Sequence, residues 1–98
     1  MSIVNASIDV IEQIKKMLSE NGSDEKELRI VGSLGFGGIP EGFKIIPSEV
    51  TPKDHVEELG GLTFIVANIL IKLYKGFNIT CAEQNGVTDL KITPAITL

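Results

Sequence analysis

The sequence contains few of the residues that covalent or metal-centred chemistry usually requires. Its 98 residues include one cysteine, one histidine and no tryptophan. An internal disulfide is therefore excluded, and Cys81 and His55 are too few for a closed metal site within one chain. A single free cysteine fits a reducing compartment, so we expect the protein to be cytoplasmic.

Signals for membranes and nucleic acids are also missing. The longest apolar stretch, residues 62–74, is interrupted by Thr63, Asn68 and Lys72 and is too short to span a bilayer. The first residues do not predict a secretory signal, because no basic region precedes an apolar one. Nine Lys and Arg residues against thirteen Asp and Glu residues give a net charge of -4, without a concentrated basic stretch. We therefore expect neither nucleic acid nor a membrane as a partner.

The length allows one domain with a modest hydrophobic core. Hydrophobic residues make up 43% of the chain and charged residues 22%, which is ordinary for a globular protein. We predict a single domain over residues 1–98.

A glycine-rich stretch between Ile30 and Ile46 is the most distinctive part of the sequence. It holds five of the ten glycines, together with Pro40. Because glycine and proline interrupt regular elements, we predict a shaped loop here. The apolar residues on either side, 28–31 and 43–46, predict two strands that the loop joins.

The remaining pattern predicts one long helix and further strands. Ser7 is the expected N-cap of an amphipathic helix that ends at Asn21 and Gly22. Paired glycines at 60–61 and Asn-Gly at 85–86 predict two hairpins. Between them, residues 67–74 predict a short helix that turns Ile69, Leu70 and Leu73 inward. Together these elements predict an α+β fold that is mostly β.

Catalytic patterns are absent from the sequence. Glu57 and Glu58 occupy successive positions of a predicted strand, so they should point to opposite faces and cannot act as a pair. No Gly-x-Ser-x-Gly nucleophile motif occurs. The glycine stretch runs into Phe43 and Lys44 instead of the Lys-Ser/Thr and helix of a phosphate-binding P-loop. We therefore predict that the protein is not an enzyme.

Two binding alternatives remain open. Successive amides of Gly35, Gly37 and Gly38 could form a nest for an anion or another small ligand. Cys81 is in phase with the apolar residues of its strand, which predicts a small buried side chain. The alternative for Cys81 is an atypical metal or cluster site shared by two subunits, which His55 could complete. We expect His55 to be exposed.

The order of these elements resembles that of the HesB-like proteins, the A-type iron-sulfur cluster carriers. The resemblance covers nearly the whole chain. Its most specific parts are Leu-Arg-Ile-Val at 28–31 with the Gly-x-x-Gly loop, and the acidic strand that turns at 60–61 into Leu-Thr-Phe-Ile-Val. It implies a HesB-like fold, with an N-terminal helix packed on antiparallel or mixed β-sheets and one short inserted helix.

The family's cluster ligands are replaced in this chain. Members carry an iron-sulfur cluster, usually across a dimer, on one cysteine of the glycine loop and a Cys-x-Cys pair near the C-terminus. Here the loop position is Phe36, or Gly35 if the register slips by one, and no Cys-x-Cys pair occurs up to Leu98. The resemblance thus implies a degenerate member in which no residue is a predicted metal ligand. A bound iron-sulfur cluster would be expected only from the likeness to the family. It implies instead a role in iron-sulfur cluster assembly through dimerisation or through assembly or acceptor proteins. The expected contact residues are Gly35, Phe36, Gly37 and Gly38.

Overall fold

Two β-sheets and two helices make up the part of the chain that the structure, a computed structural model, describes: residues 3–22, 26–34 and 40–96. The helices are α1 (Ile8–Glu20) and α2 (Asn68–Tyr74). The strands are β1 (Val4–Asn5), β2 (Glu27–Leu34), β3 (Pro40–Pro47), β4 (Asp54–Leu59), β5 (Leu62–Ala67), β6 (Phe77–Gln84) and β7 (Val87–Pro94). This architecture confirms the predicted α+β, mostly β fold.

The strands form one three-stranded and one four-stranded sheet. Their orders are β1-β6-β7 and β3-β2-β5-β4. Both sheets are mixed, because β1 runs parallel to β6 and β2 runs parallel to β5, whereas the other neighbours are antiparallel. Strand β1 was not predicted from the sequence, since a two-residue strand has no periodicity of its own.

Helix α1 begins and ends where the sequence predicts. The Ser7 hydroxyl accepts a 3.4 Å hydrogen bond from the Val10 amide, which satisfies one of the free donors of the first turn. Asn21 is the C-cap, and Gly22 follows with a φ of 70°. The buried stripe of α1, Val10, Ile11 and Ile14, packs into the core.

The core contains apolar residues from both sheets and from α1. Its buried members are Val4, Val10, Ile11, Ile14, Leu28, Ile30, Leu62, Phe64, Val66, Phe77, Ile79 and Ile92. Strand β2 therefore turns Leu28 and Ile30 towards the core and Arg29 towards the opposite face of its sheet.

The inward face of α2 differs from the prediction. Ile69 and Leu73 are 60% and 40% exposed, while Leu70, Ile71 and Tyr74 pack against the core. The predicted stripe was thus rotated by one position. Seven residues contain too few turns for periodicity to fix the buried face.

The strands beside the glycine stretch are longer than predicted. Strand β2 continues to Leu34 and β3 begins at Pro40, with Ser33 opposite Gly42 and an irregular register between Ser33 and Leu34. Gly42 has a φ of 138°, which favours glycine at this irregularity. Two strands joined across the glycine stretch are confirmed, and its central residues 35–39 lie outside the described residues.

Candidate functional site

The structure describes the stem of the predicted contact loop. Gly35, Phe36, Gly37 and Gly38 themselves lie outside the described residues. Three residues after the start of β3, Phe43 packs edge-on against Tyr74 and Phe77, with ring centroids 5.1 and 4.8 Å away. This aromatic contact fixes the returning strand of the stem against α2 and the first residue of β6.

Cys81 is exposed, so the prediction of a buried side chain is wrong. The alternation was read correctly, because Phe77 and Ile79 on the same face are buried. Strand β6 simply runs past the core at this point. Cys81 lies instead in an open groove beside Asp9 and Val10 of α1. Periodicity gives the face of a strand, but not how far the core extends along it.

His55 and Cys81 are not brought together. His55 lies in β4 of the four-stranded sheet and Cys81 in β6 of the other sheet. The His55 side chain is half-buried rather than exposed, and its Nε2 atom lies 4.0 Å from Oε1 of Glu57. This nitrogen is buried and has no hydrogen-bond partner among the described residues.

The residues present do not fit an iron-sulfur cluster held in the family's way. Clusters are held mainly by cysteine thiolates, and this sequence has one cysteine, which lies in β6 and not between β2 and β3. Within residues 3–22, 26–34 and 40–96, no group of three or more His, Cys, Asp or Glu side chains could hold a metal ion. The described residues therefore include no ligand set for a cluster.

Glu57 has a structural role that the sequence did not indicate. Its carboxylate accepts hydrogen bonds from the backbone amides of Ile3 and Val4, at 2.9 and 2.6 Å. The side chain is 18% exposed, whereas Glu58 is exposed, which fits their predicted opposite faces. Glu57 thus binds the start of β1 to the edge strand β4, and its two oxygens are occupied by this contact.

Arg29 and Asp54 form a bidentate ion pair on the sheet face opposite the core. Nη1 and Nη2 of Arg29 donate to Oδ1 and Oδ2 of Asp54 at 2.7 and 2.6 Å. The side chains are 17% and 2% exposed. Arg29 also donates to the Ser48 hydroxyl and the Glu49 carbonyl, and Asp54 accepts from the Thr51 amide.

This ion pair shifts both pKa values. The hydrogen bonds from Arg29 hold the pKa of Asp54 well below its usual range, and the pKa of Arg29 is raised by its hydrogen bonds to Asp54. The pair spans β2 to β4 across Ile65 of β5, which is fully buried beside it. We interpret the pair as structural, because its hydrogen bonds join β2, the segment after β3 and the start of β4.

Nothing in the described part of the chain provides a helix that is both long and apolar enough to cross a membrane.

Comparison with known proteins identifies the fold. No protein-family model matches the sequence, and none of the curated proteins matches it either. Among solved structures, the crystal structure of IscA with its 2Fe-2S cluster superposes with a TM-score of 0.71 at 18% identity, covering 93% of this chain and 84% of that one. A solution NMR structure of a protein from Aquifex aeolicus gives a TM-score of 0.64 at 22% identity, covering 92% of this chain and 89% of the other. The chain therefore has the IscA-like fold that its sequence resemblance implied.

Proposed function

We propose that this protein is a non-enzymatic component related to iron-sulfur cluster assembly that acts by binding a partner protein or by dimerising. It would not coordinate a cluster in the way its fold relatives do. The observation that supports this proposal is the combination of an IscA-like fold with a glycine stretch that has no cysteine and a single cysteine in β6. A cytoplasmic setting, where thiols remain reduced, is part of the proposal.

Chemistry favours binding over coordination. Without thiolates at the end of the β2–β3 stem, the fold lacks the soft donors that cluster irons require. The family resemblance places the loop cysteine of the relatives at Phe36, or at Gly35 if the register slips by one, and an aromatic side chain at Phe36 would suit an apolar contact with another protein. Gly35, Gly37 and Gly38 complete the proposed contact loop.

An exposed apolar surface on α2 supports association with another protein. Ile69 and Leu73 lie one turn apart and are 60% and 40% exposed. Ile96, 44% exposed, donates its amide to the carbonyl of Tyr74 at the end of the same helix. Exposed apolar side chains that cluster are typical of interaction surfaces.

The test combines affinity capture with a measurement of mass in solution. The tagged protein should recover iron-sulfur assembly or acceptor proteins from a cell extract, or light scattering should show a dimer. A Phe36→Ala variant should weaken the interaction, whereas Lys53→Ala, a change in an exposed turn residue far from the loop in sequence, should not. Failure to recover any such protein, together with a monomeric mass, would contradict the proposal.

Two other functions remain testable. The five residues between the paired positions Leu34 and Pro40 include three glycines, and their amides could form an anion nest. Loop amide resonances that stay in place during titration with phosphate and carboxylates would exclude it.

The exposure of Cys81 favours the other possibility, a metal or cluster held by two Cys81 thiolates across a dimer. Unchanged iron content in Cys81→Ser would exclude that site.

A further inference from the structure

Strand β6 has one edge that is covered only at its beginning. Strand β1 pairs with it at Phe77 and Asn78, and the chain then leaves the sheet to begin α1 at Ile8. Within the described residues, no other strand pairs with this edge between Asn78 and Gln84. About six residues of β6, roughly 20 Å of strand, are therefore open on this side.

The backbone groups on the open side can be identified from the covered part. The Phe77 amide donates to the Ile3 carbonyl at 2.8 Å, so the N–H and C=O of Phe77 face β1. Because these groups alternate between the two edges along a strand, Cys81 and Glu83 turn theirs to the same side. A row of unpaired donors and acceptors is a template for an added strand.

A groove follows this edge in the place where β1 would continue. One wall is formed by the first turns of α1 and the residues before it, and the other by β6 from Asn78 to Glu83. The lining residues include the acidic Asp9 and Glu83, and none of those described is a lysine or arginine. The groove therefore combines a strand edge with negative charge.

We propose that this edge binds an extended basic segment of a partner protein, which adds to β6 as a further strand. Backbone hydrogen bonds to Cys81 and Glu83 would supply affinity, and lysine or arginine side chains facing Asp9 and Glu83 would supply specificity. A second copy of this chain is a poorer occupant, because pairing of two β6 edges would bring together two grooves that each contain Asp9 and Glu83 and no lysine or arginine. The inference rests on the proposed partner-binding function and gives it a surface and a partner chemistry.

The test uses a capped eight-residue peptide that alternates valine with lysine, and the same peptide with glutamate in place of lysine. Each is titrated into the isotope-labelled full chain while amide resonances are recorded. The lysine peptide should shift the amide resonances of Cys81 and Glu83, and its affinity should fall as salt is added. The glutamate peptide should not. Shifts confined to other surfaces, equal binding of both peptides, or no binding would overturn the proposal.

Matched variants at one position separate the backbone from the charge. Glu83→Ala removes the carboxylate and keeps the N–H, whereas Glu83→Pro removes both on an edge where proline is tolerated. Binding of the lysine peptide should fall roughly fivefold further in Glu83→Pro than in Glu83→Ala, the effect of one lost hydrogen bond. Equal affinities would contradict strand addition. Resonances of β6 that shift with protein concentration alone would identify a second copy as the occupant instead.

The two proposals can fail separately. If Glu83→Pro still captures the same partners from extract while the peptide does not bind, partner binding stands and another surface performs it. If the peptide binds but capture and mass measurements find neither a partner nor a dimer, the edge is competent and the proposed function is wrong.

Discussion

The Glu57 carboxylate accepts a 2.6 Å hydrogen bond from the backbone amide of Val4, a residue 53 positions earlier in the chain. The same carboxylate accepts from the Ile3 amide at 2.9 Å. Strand β1 has only two residues and pairs with β6 alone, so this contact joins it to the second sheet. Helix α1 begins three residues after β1, at Ile8.

Replacing Glu57 with alanine should therefore loosen the N-terminal segment. We expect the free energy of unfolding to fall by about 1.5–3 kcal/mol, because two backbone donors lose a charged acceptor. Hydrogen exchange at the Ile3 and Val4 amides should accelerate. Glu58→Ala, on the exposed face of the same strand, is the matched control and should change stability by less than about 0.5 kcal/mol. Equal effects of the two variants would contradict the role of Glu57.

Removing one partner of the Arg29–Asp54 pair should lower the free energy of unfolding. Asp54→Ala leaves the Arg29 guanidinium, 17% exposed, without its bidentate partner. We expect a loss of about 2–4 kcal/mol in a denaturant titration. Asp89→Ala removes an exposed carboxylate and should be nearly neutral. A loss at Asp54 no larger than that at Asp89 would mean that the pair contributes little.

The same pair gives stability a defined dependence on acid. Because Arg29 lowers the folded-state pKa of Asp54, the contribution of Asp54 is present above its unfolded pKa of about 3.9 and is lost as pH falls below that value. Stability of the wild type and of Asp54→Asn, measured from pH 7 to pH 2, should differ most above pH 4 and converge in stronger acid. A difference that stays constant across this range would contradict the shifted pKa.

Gly76 should tolerate no side chain. A Cβ atom there would lie 2.7 Å from the Ile3 carbonyl oxygen, and the φ of 151° is unfavourable for other residues. We expect Gly76→Ala to cost about 2–4 kcal/mol, because the backbone at Ile3, just before β1, must move away. At Gly86, with a φ of 78° and open space around it, alanine should cost only about 1 kcal/mol. Thermal unfolding of both variants tests this difference, and similar losses would show that the contact with Ile3 yields easily.

Local signals allowed much of the fold to be predicted from the sequence. The Ser7 N-cap, the glycine pair at 60–61 and the Asn85–Gly86 turn all act through neighbouring residues, and each occurs where it was predicted. At the Asn85–Gly86 turn both residues have positive φ, the geometry that this dipeptide favours.

Features set by distant contacts were not predictable in the same way. The partner of Arg29 is 25 residues away, and the only sign of it was a charged residue inside an apolar strand. The exposure of Cys81 depends on where the core ends along β6, and the inward face of α2 depends on how this short helix packs against the core. Periodicity supplies no information about either position. To predict the open edge of β6, one would have needed to know that β1 is short and that the chain leaves the sheet after it.

This chain shares the fold of IscA but has one cysteine, in β6, and we propose that it does not hold a cluster. Anaerobic incubation of the purified protein with iron and sulfide, followed by desalting, visible absorption and iron analysis, tests it most directly, with Cys81→Ser in parallel. We expect colourless protein without stoichiometric iron in both samples. A stable chromophore in the wild type that is lost in Cys81→Ser would contradict it and would make the protein a carrier through Cys81.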